Sequence, residues 1–205
     1  MIAWSIRKGR CSGICAAARK GQMRMNIAVY LGSFPGNDPV YEQKVKELGD
    51  WIGRSGNRLV YGGSKVGLMG RLAESALDAG GYVIGVEPGF FVESCLQLDG
   101  IQELIVTKTM AERRLKIIEL SDAFIAFPGG TGTLEEVSEV MSRLSIGLTK
   151  SPCILYNLNG YYDHLRAQLD LMVKEGFLPE ENRKKVSFAG SLDEIIEILD
   201  RKGTY

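Results

Sequence analysis

Short apolar runs recur along this chain, each followed by an amphipathic stretch, and no other feature constrains its fold more. From residue 26 onward, Asn26–Leu31, Arg58–Tyr61, Tyr82–Val86, Glu103–Val106, Ala123–Phe127, Cys153–Tyr156 and a weaker Val186–Ala189 read as strands. Their apolar residues are near-continuous rather than alternating, as expected of strands covered on both faces. Helical patterns lie between them. The first starts at Asp38-Pro39, an N-cap followed by proline at the first helical position, with Tyr41, Val45, Leu48 and Trp51 as its buried stripe. Later helices are predicted over roughly 67–79, 109–120, 132–147, 161–175 and 191–201 from the same 3.6-residue period. This order predicts an α/β fold: a Rossmann-like, doubly wound parallel sheet with helices on both faces.

In such sheets ligands bind beyond the carboxyl ends of the strands. Three glycine turns fall there: Gly32-Ser33, Gly62-Gly63-Ser64 and Pro128-Gly129-Gly130-Thr131-Gly132-Thr133. The third is the most informative. Its three glycines let backbone approach a ligand, and the unpaired amides and dipole of the helix that follows favour a phosphate. Glu136 is expected within the first helical turn, where a carboxylate would repel the anion that the amides attract. Chemistry is one reason for it; a partner for the helix dipole is another. Glu139 is expected on the same helix face as Glu136, with Glu135 pointing elsewhere.

The Gly62–Gly70 segment is open to two readings, a ligand-approach loop or a tight turn with close helix packing. Neither glycine-rich turn matches GxGxxG, and the second strand ends in Tyr61-Gly62 rather than an acid, so a nicotinamide dinucleotide is not favoured. Met110, Arg113 and Arg114 sit early in the helix before the glycine-rich strand. Adjacent helical residues differ in direction by about 100°, so at most one arginine is expected to face the cleft. The alternative is a solvated face carrying a Glu112–Lys116 pair.

Composition narrows the function classes. The 205-residue length suits one domain, over 26–205. Residues 1–25 hold six Lys or Arg and no acid, reading as a disordered basic extension, and they lack the apolar core of a signal peptide or membrane span. The remainder carries nineteen basic against twenty-five acidic residues, which argues against nucleic-acid binding. Four cysteines without a CxxC pair and a single histidine, His164, make no metal site and suit a reducing cytoplasm. Cys153 is expected to pack as a small hydrophobe, and His164 to pack or cap near a helix start.

GGSKVGLMG, MAERR and PGGTGTLEE, in that order and on those elements, resemble the Lonely guy (LOG) family, once widely labelled lysine decarboxylases. The resemblance spans about residues 26–200. It implies a Rossmann-like homodimer that needs no cofactor and hydrolyses N6-modified adenosine 5′-monophosphates, and often AMP, to free base and ribose 5-phosphate. By position it places the catalytic pair on Arg113 and Glu136. It places the phosphate-binding turn on Gly129, Gly130, Gly132 and Thr133, and we add Gly32, Ser33, Gly62, Gly63, Met110, Arg114, Thr131 and Glu139 as candidate contacts.

Three segments depart from the family pattern. Thr109–Arg114 replaces a DMHxRK-like run, Arg143-Leu144-Ser145 replaces Trp-x-Gln, and Ser64-Lys65 stands in the first loop. These changes bear on the pocket walls rather than on the reaction class. Two other functions are weighed. One is a non-catalytic carrier of a nucleotide or of the molybdenum cofactor, because fold does not determine function. The other is the older decarboxylase label, which requires pyridoxal phosphate on a lysine, and no lysine here sits in a convincing motif for it.

Overall fold

The computed structural model describes residues 24–202. Seven parallel strands form one sheet in the order β4-β3-β2-β1-β5-β6-β7. They are β1 (Asn26–Tyr30), β2 (Arg58–Tyr61), β3 (Tyr82–Pro88), β4 (Glu103–Thr107), β5 (Ala123–Ala126), β6 (Cys153–Tyr156) and β7 (Val186–Ala189). All seven expected strands are present, and β1 and β5 lie side by side at the centre, pairing Ile27 with Ala123 and Tyr30 with Ala126. From β1 the chain winds outward to β4, then returns to the centre at β5 and winds the other way. The order therefore reverses between β1 and β5, which opens a crevice at their carboxyl ends.

Helices α1 (Pro39–Arg54), α2 (Gly67–Asp78) and α8 (Leu192–Lys202) cover one face. The other is covered by α4 (Met110–Leu120), α5 (Thr131–Ser145) and α6 (Asp163–Lys174). Helix α1 begins as expected, with Asp38 accepting from the Val40 amide at 2.9 Å. Val45, Leu48 and Ile52 are buried, whereas Tyr41 and Trp51 are half-buried at the core's edge. Gly49 and Gly53 bring α1 against α2, since a Cβ on either would run into the Leu72 or Ala76 carbonyl. The short helices α3 (Gly89–Glu93) and α7 (Glu180–Arg183), and a 3-10 turn at Leu158–Gly160, were not anticipated, because one turn carries no readable period.

Val137, Val140 and Leu144 of α5 are core residues, with Met141 partly buried against them. Cys153 is buried in the same cluster. His164 is exposed at the second position of α6. Of the basic extension, residues 1–23 lie outside the described residues, while Met25 accepts from the Arg58 amide at 2.8 Å. Among the described residues no helix is long and apolar enough to cross a membrane.

Candidate active site

The three glycine turns converge at the crevice. Gly32, after β1, and Gly129, after β5, touch: a Cβ on Gly129 would lie 2.7 Å from the Gly32 nitrogen and against Thr133 Oγ1. Gly67, at a φ of +58°, packs on the Ser33 carbonyl. Bare backbone at these contacts leaves a cleft of about 580 Å³ over the start of α5.

Gly130 is the N-cap of α5, and its carbonyl accepts from the Leu134 amide at 3.1 Å. The amides of Gly130, Thr131, Gly132 and Thr133 meet no acceptor among the described residues. A Cβ on Gly130 or Gly132 would meet only open space, so a ligand can come against this backbone. Together these features form an anion cradle.

Glu136 stands behind the cradle. Helix α5 starts at Thr131, so Glu136 is its sixth residue and falls in the second turn rather than the first, which holds no acidic residue. It is therefore not the dipole partner that a first-turn position would make it. Its Oε1 accepts from Arg113 Nη1 at 2.8 Å, with both side chains nearly buried, at 11% and 10% exposure. Arg113 reaches across from α4, its Nε donating to the Val86 carbonyl at 2.9 Å. Gly62 makes room for it, because a Cβ there would collide with Arg113 Nη2. Burial pushes the Glu136 carboxyl above the usual carboxylate range, and the Arg113 guanidinium pulls it back. Burial, reinforced by the Glu136 carboxylate, raises the Tyr30 phenol.

Of the residues singled out from sequence, Gly32, Ser33, Gly62, Met110, Arg113 and Glu136 line the cleft, as does the whole run Gly129–Thr133. Gly63, Arg114 and Glu139 do not. Gly63, at a φ of +85°, closes a turn whose carbonyl accepts from the Tyr61 hydroxyl at 3.0 Å. Arg114 pairs with Glu135 at 3.0 Å and with Glu139 at 3.2 Å. Glu139 thus shares its helix face with Glu135 rather than with Glu136, and it also binds Arg143 at 3.0 Å. Only one of the two adjacent arginines faces the cleft. The Glu112–Lys116 pair does not form: Glu112 instead accepts from the Lys108 amide at 2.9 Å, and Thr109 caps the Glu112 amide at 3.1 Å. The sequence departures Arg143, Ser145, Ser64 and Lys65 also lie off the cleft wall.

Sequence reasoning missed the aromatic wall. Tyr30, Phe34, Tyr41, Phe91 and Tyr161 all line the cleft, beside Leu68 and Met69. The adjacent Tyr161-Tyr162 just beyond β6, at the same rim of the sheet, was the signal available for one of them. No lysine is among the lining residues, so the cleft does not suit a cofactor held as a Schiff base.

A family model described as "Possible lysine decarboxylase" matches residues 69–199. Among curated proteins, the cytokinin riboside 5′-monophosphate phosphoribohydrolase of Rhodococcoides fascians is 43% identical over 164 residues, covering 78% of this chain and 82% of its own. Its counterpart LOG in Oryza sativa subsp. japonica is 36% identical over 182 residues, covering 89% and 75%. Among solved structures, the molybdenum cofactor binding protein of Rippkaea orientalis superposes with a TM-score of 0.67 at 26% identity, covering 89% of this chain and 99% of that one. The Moco carrier protein of Chlamydomonas reinhardtii, at 22% identity and a TM-score of 0.64 over 87% and 97%, shares the fold. A family match across more than half the chain, with relatives at this identity along most of their length, places the chain in the LOG family of phosphoribohydrolases.

Proposed function

We propose that the protein hydrolyses the N-glycosidic bond of adenosine 5′-monophosphates, N6-modified ones included, releasing the base and ribose 5-phosphate. The observation that carries this reading is the nearly buried Arg113–Glu136 ion pair, set one helical turn behind an anion cradle. A 5′-phosphate on the amides of Gly130–Thr133 would hold the ribose over Glu136 and supply the positioning energy. As the C1′–N9 bond breaks, its electron pair leaves with the base and positive charge grows on the sugar. The Glu136 carboxylate, desolvated and therefore strongly interacting, stabilises that charge and orients the water that adds to C1′. Arg113 holds the carboxylate in place and opposes the upward push of burial on its carboxyl. The aromatic and aliphatic wall receives the base.

The cleft's chain-borne groups suffice for this chemistry without a metal or organic cofactor. A carrier role is the second reading, supported by the folds of the molybdenum cofactor proteins. The phosphoribohydrolase relatives are more similar in sequence, and a buried acid behind the cradle has no use in simple carriage. A homodimer belongs to the same proposal through the family, with exposed Leu115, Leu134, Ile146 and Leu148 as its apolar surface.

The test is chromatographic detection of free base and ribose 5-phosphate after incubation with AMP and with isopentenyladenosine monophosphate, using Glu136→Gln as control. Product that vanishes in the variant supports the hydrolase. Binding without product, from either nucleotide, turns the assignment to the carrier.

A further inference from the structure

The glycines of the anion cradle leave its backbone with little restraint of its own, since each can visit conformations closed to other residues. A cradle that must present amides in fixed directions needs an external tether. The loop from β6 to α6 supplies one. Tyr161 donates through its hydroxyl to the Gly129 carbonyl at 2.5 Å. In a trans peptide the carbonyl and the N–H point in opposite directions within one plane. Holding the Gly129 carbonyl therefore also sets the direction of the Gly130 amide, the first donor of the cradle.

Tyr161 is placed there by construction of the loop rather than by burial, for its ring is 44% exposed and lines the cleft. Asn159 and Gly160 take positive φ values of 50° and 75°, turning the chain so that Tyr161 faces the cradle. Asn157 fastens the loop, accepting from the Tyr162 amide at 2.6 Å and donating to Asp163 at 2.8 Å, while its own amide bonds Ala189 at 2.7 Å. The ring is braced edge-on by Tyr162, at 5.0 Å between centroids, and by Tyr41, at 6.3 Å.

We infer that Tyr161 is a positioning residue for the phosphate-binding turn, its hydroxyl fixing the Gly129–Gly130 peptide so that the Gly130 amide is aimed at a bound 5′-phosphate. The inference rests on the nucleotide reading of the cleft. Tyr162 provides an internal control. Its hydroxyl also holds a backbone carbonyl, that of Phe127 at 2.8 Å, but the following residue is Pro128, so that peptide has no N–H to aim.

The experiment compares Tyr161→Phe and Tyr162→Phe with the wild type, measuring ribose 5-phosphate binding by calorimetry, adenosine binding as the phosphate-free probe, and AMP kinetics. Tyr161→Phe is expected to weaken ribose 5-phosphate about fivefold, the worth of one hydrogen bond, and to raise KM for AMP by the same factor with kcat nearly unchanged. Adenosine affinity stays at the wild-type value, because phenylalanine keeps the ring that Tyr161 contributes to the cleft wall. Tyr162→Phe lowers the melting temperature and leaves ribose 5-phosphate affinity alone. Unchanged ribose 5-phosphate affinity in Tyr161→Phe, or equal losses in both variants, would overturn the inference. A wild-type chain that binds ribose 5-phosphate but releases no base refutes the hydrolase and leaves this inference standing. One that binds neither sugar phosphate nor nucleotide overturns both.

Discussion

Arg113 and Glu136 lie twenty-three residues apart on different helices, yet they meet at 2.8 Å, with the Arg113 guanidinium also anchored through Nε to the Val86 carbonyl in β3. The guanidinium thus spans from the sheet to α5 and carries the carboxylate's position with it. Two neighbours in sequence, Arg114 and Glu135, form their own pair on the outer side of the same two helices.

Removing either partner of the inner pair has different consequences. Glu136→Gln keeps the shape and leaves a neutral group beside Arg113, so the chain stays folded while turnover falls by at least about a hundredfold. Arg113→Ala strands a nearly buried carboxylate and costs about 3 kcal/mol of stability as well as activity. Urea titration alongside the chromatographic assay separates the two effects. Wild-type turnover in Glu136→Gln would remove this residue from the mechanism.

Glycine substitutions should split into two kinds. Gly62→Ala puts a methyl against Arg113 Nη2, the far end of a flexible side chain, and is expected to lower activity about tenfold with a stability change under about 1 kcal/mol. Gly67→Ala combines a positive φ with a collision against the Ser33 carbonyl, and should cost about 2 kcal/mol or more of stability. Thermal melts and AMP turnover on both variants check the contrast; equal stability losses would count against it.

Glu87, at the end of β3, is 1% exposed, and both its carboxylate oxygens lack a hydrogen-bond partner. Burial raises its carboxyl from the ordinary value near 4.5, with Arg113 opposing. Above that value the native state holds a proton that the unfolded chain has released, so stability falls as pH rises, until the folded-state value is passed. Glu136 contributes with the same sign. The surface acids Glu42 and Glu47 are shifted down by lysine hydrogen bonds, so their effect lies below this window. Glu87→Gln should flatten the decline in urea-unfolding free energy as pH rises above the ordinary carboxylate value. A slope identical to that of the wild type would show that Glu87 is not its source.

Phe34 is 81% exposed at the cleft mouth, beside Gly32 and Ser33. So exposed a ring adds little to the core. Phe34→Ala is expected to change stability by less than about 0.5 kcal/mol yet raise KM for nucleotides about threefold or more through lost contact with the base. An unaltered KM for both AMP and its isopentenyl derivative would remove Phe34 from the binding wall.

Much of the scaffold was legible in the residues themselves. The strands were, because Ile27–Tyr30 and Ala123–Ala126 are continuous apolar runs, and hydrophobic patterning is a local property. Helix α1 announced its start through Asp38-Pro39. One-turn elements such as α3 carry no period, and they stayed hidden. Glycine-rich sequence left the start of α5 open to within a residue, but either start sets Glu136 in the second turn, behind the first-turn amides.

The sequence by itself determined the alternation of strands and helices, the glycine turns at the strand ends, and an acid following the last of them. Tertiary structure alone decided which charges meet. Period constrains the direction of a side chain around its own helix, but not the rotation at which that helix docks on the sheet. That docking sent Arg113 inward and Arg114 outward, and grouped Glu139 with Glu135 rather than with Glu136. It also brought Tyr30 with Phe34, Phe91 and Tyr161, from three separate segments, onto one wall, a convergence that exists only once the strand order reverses between β1 and β5.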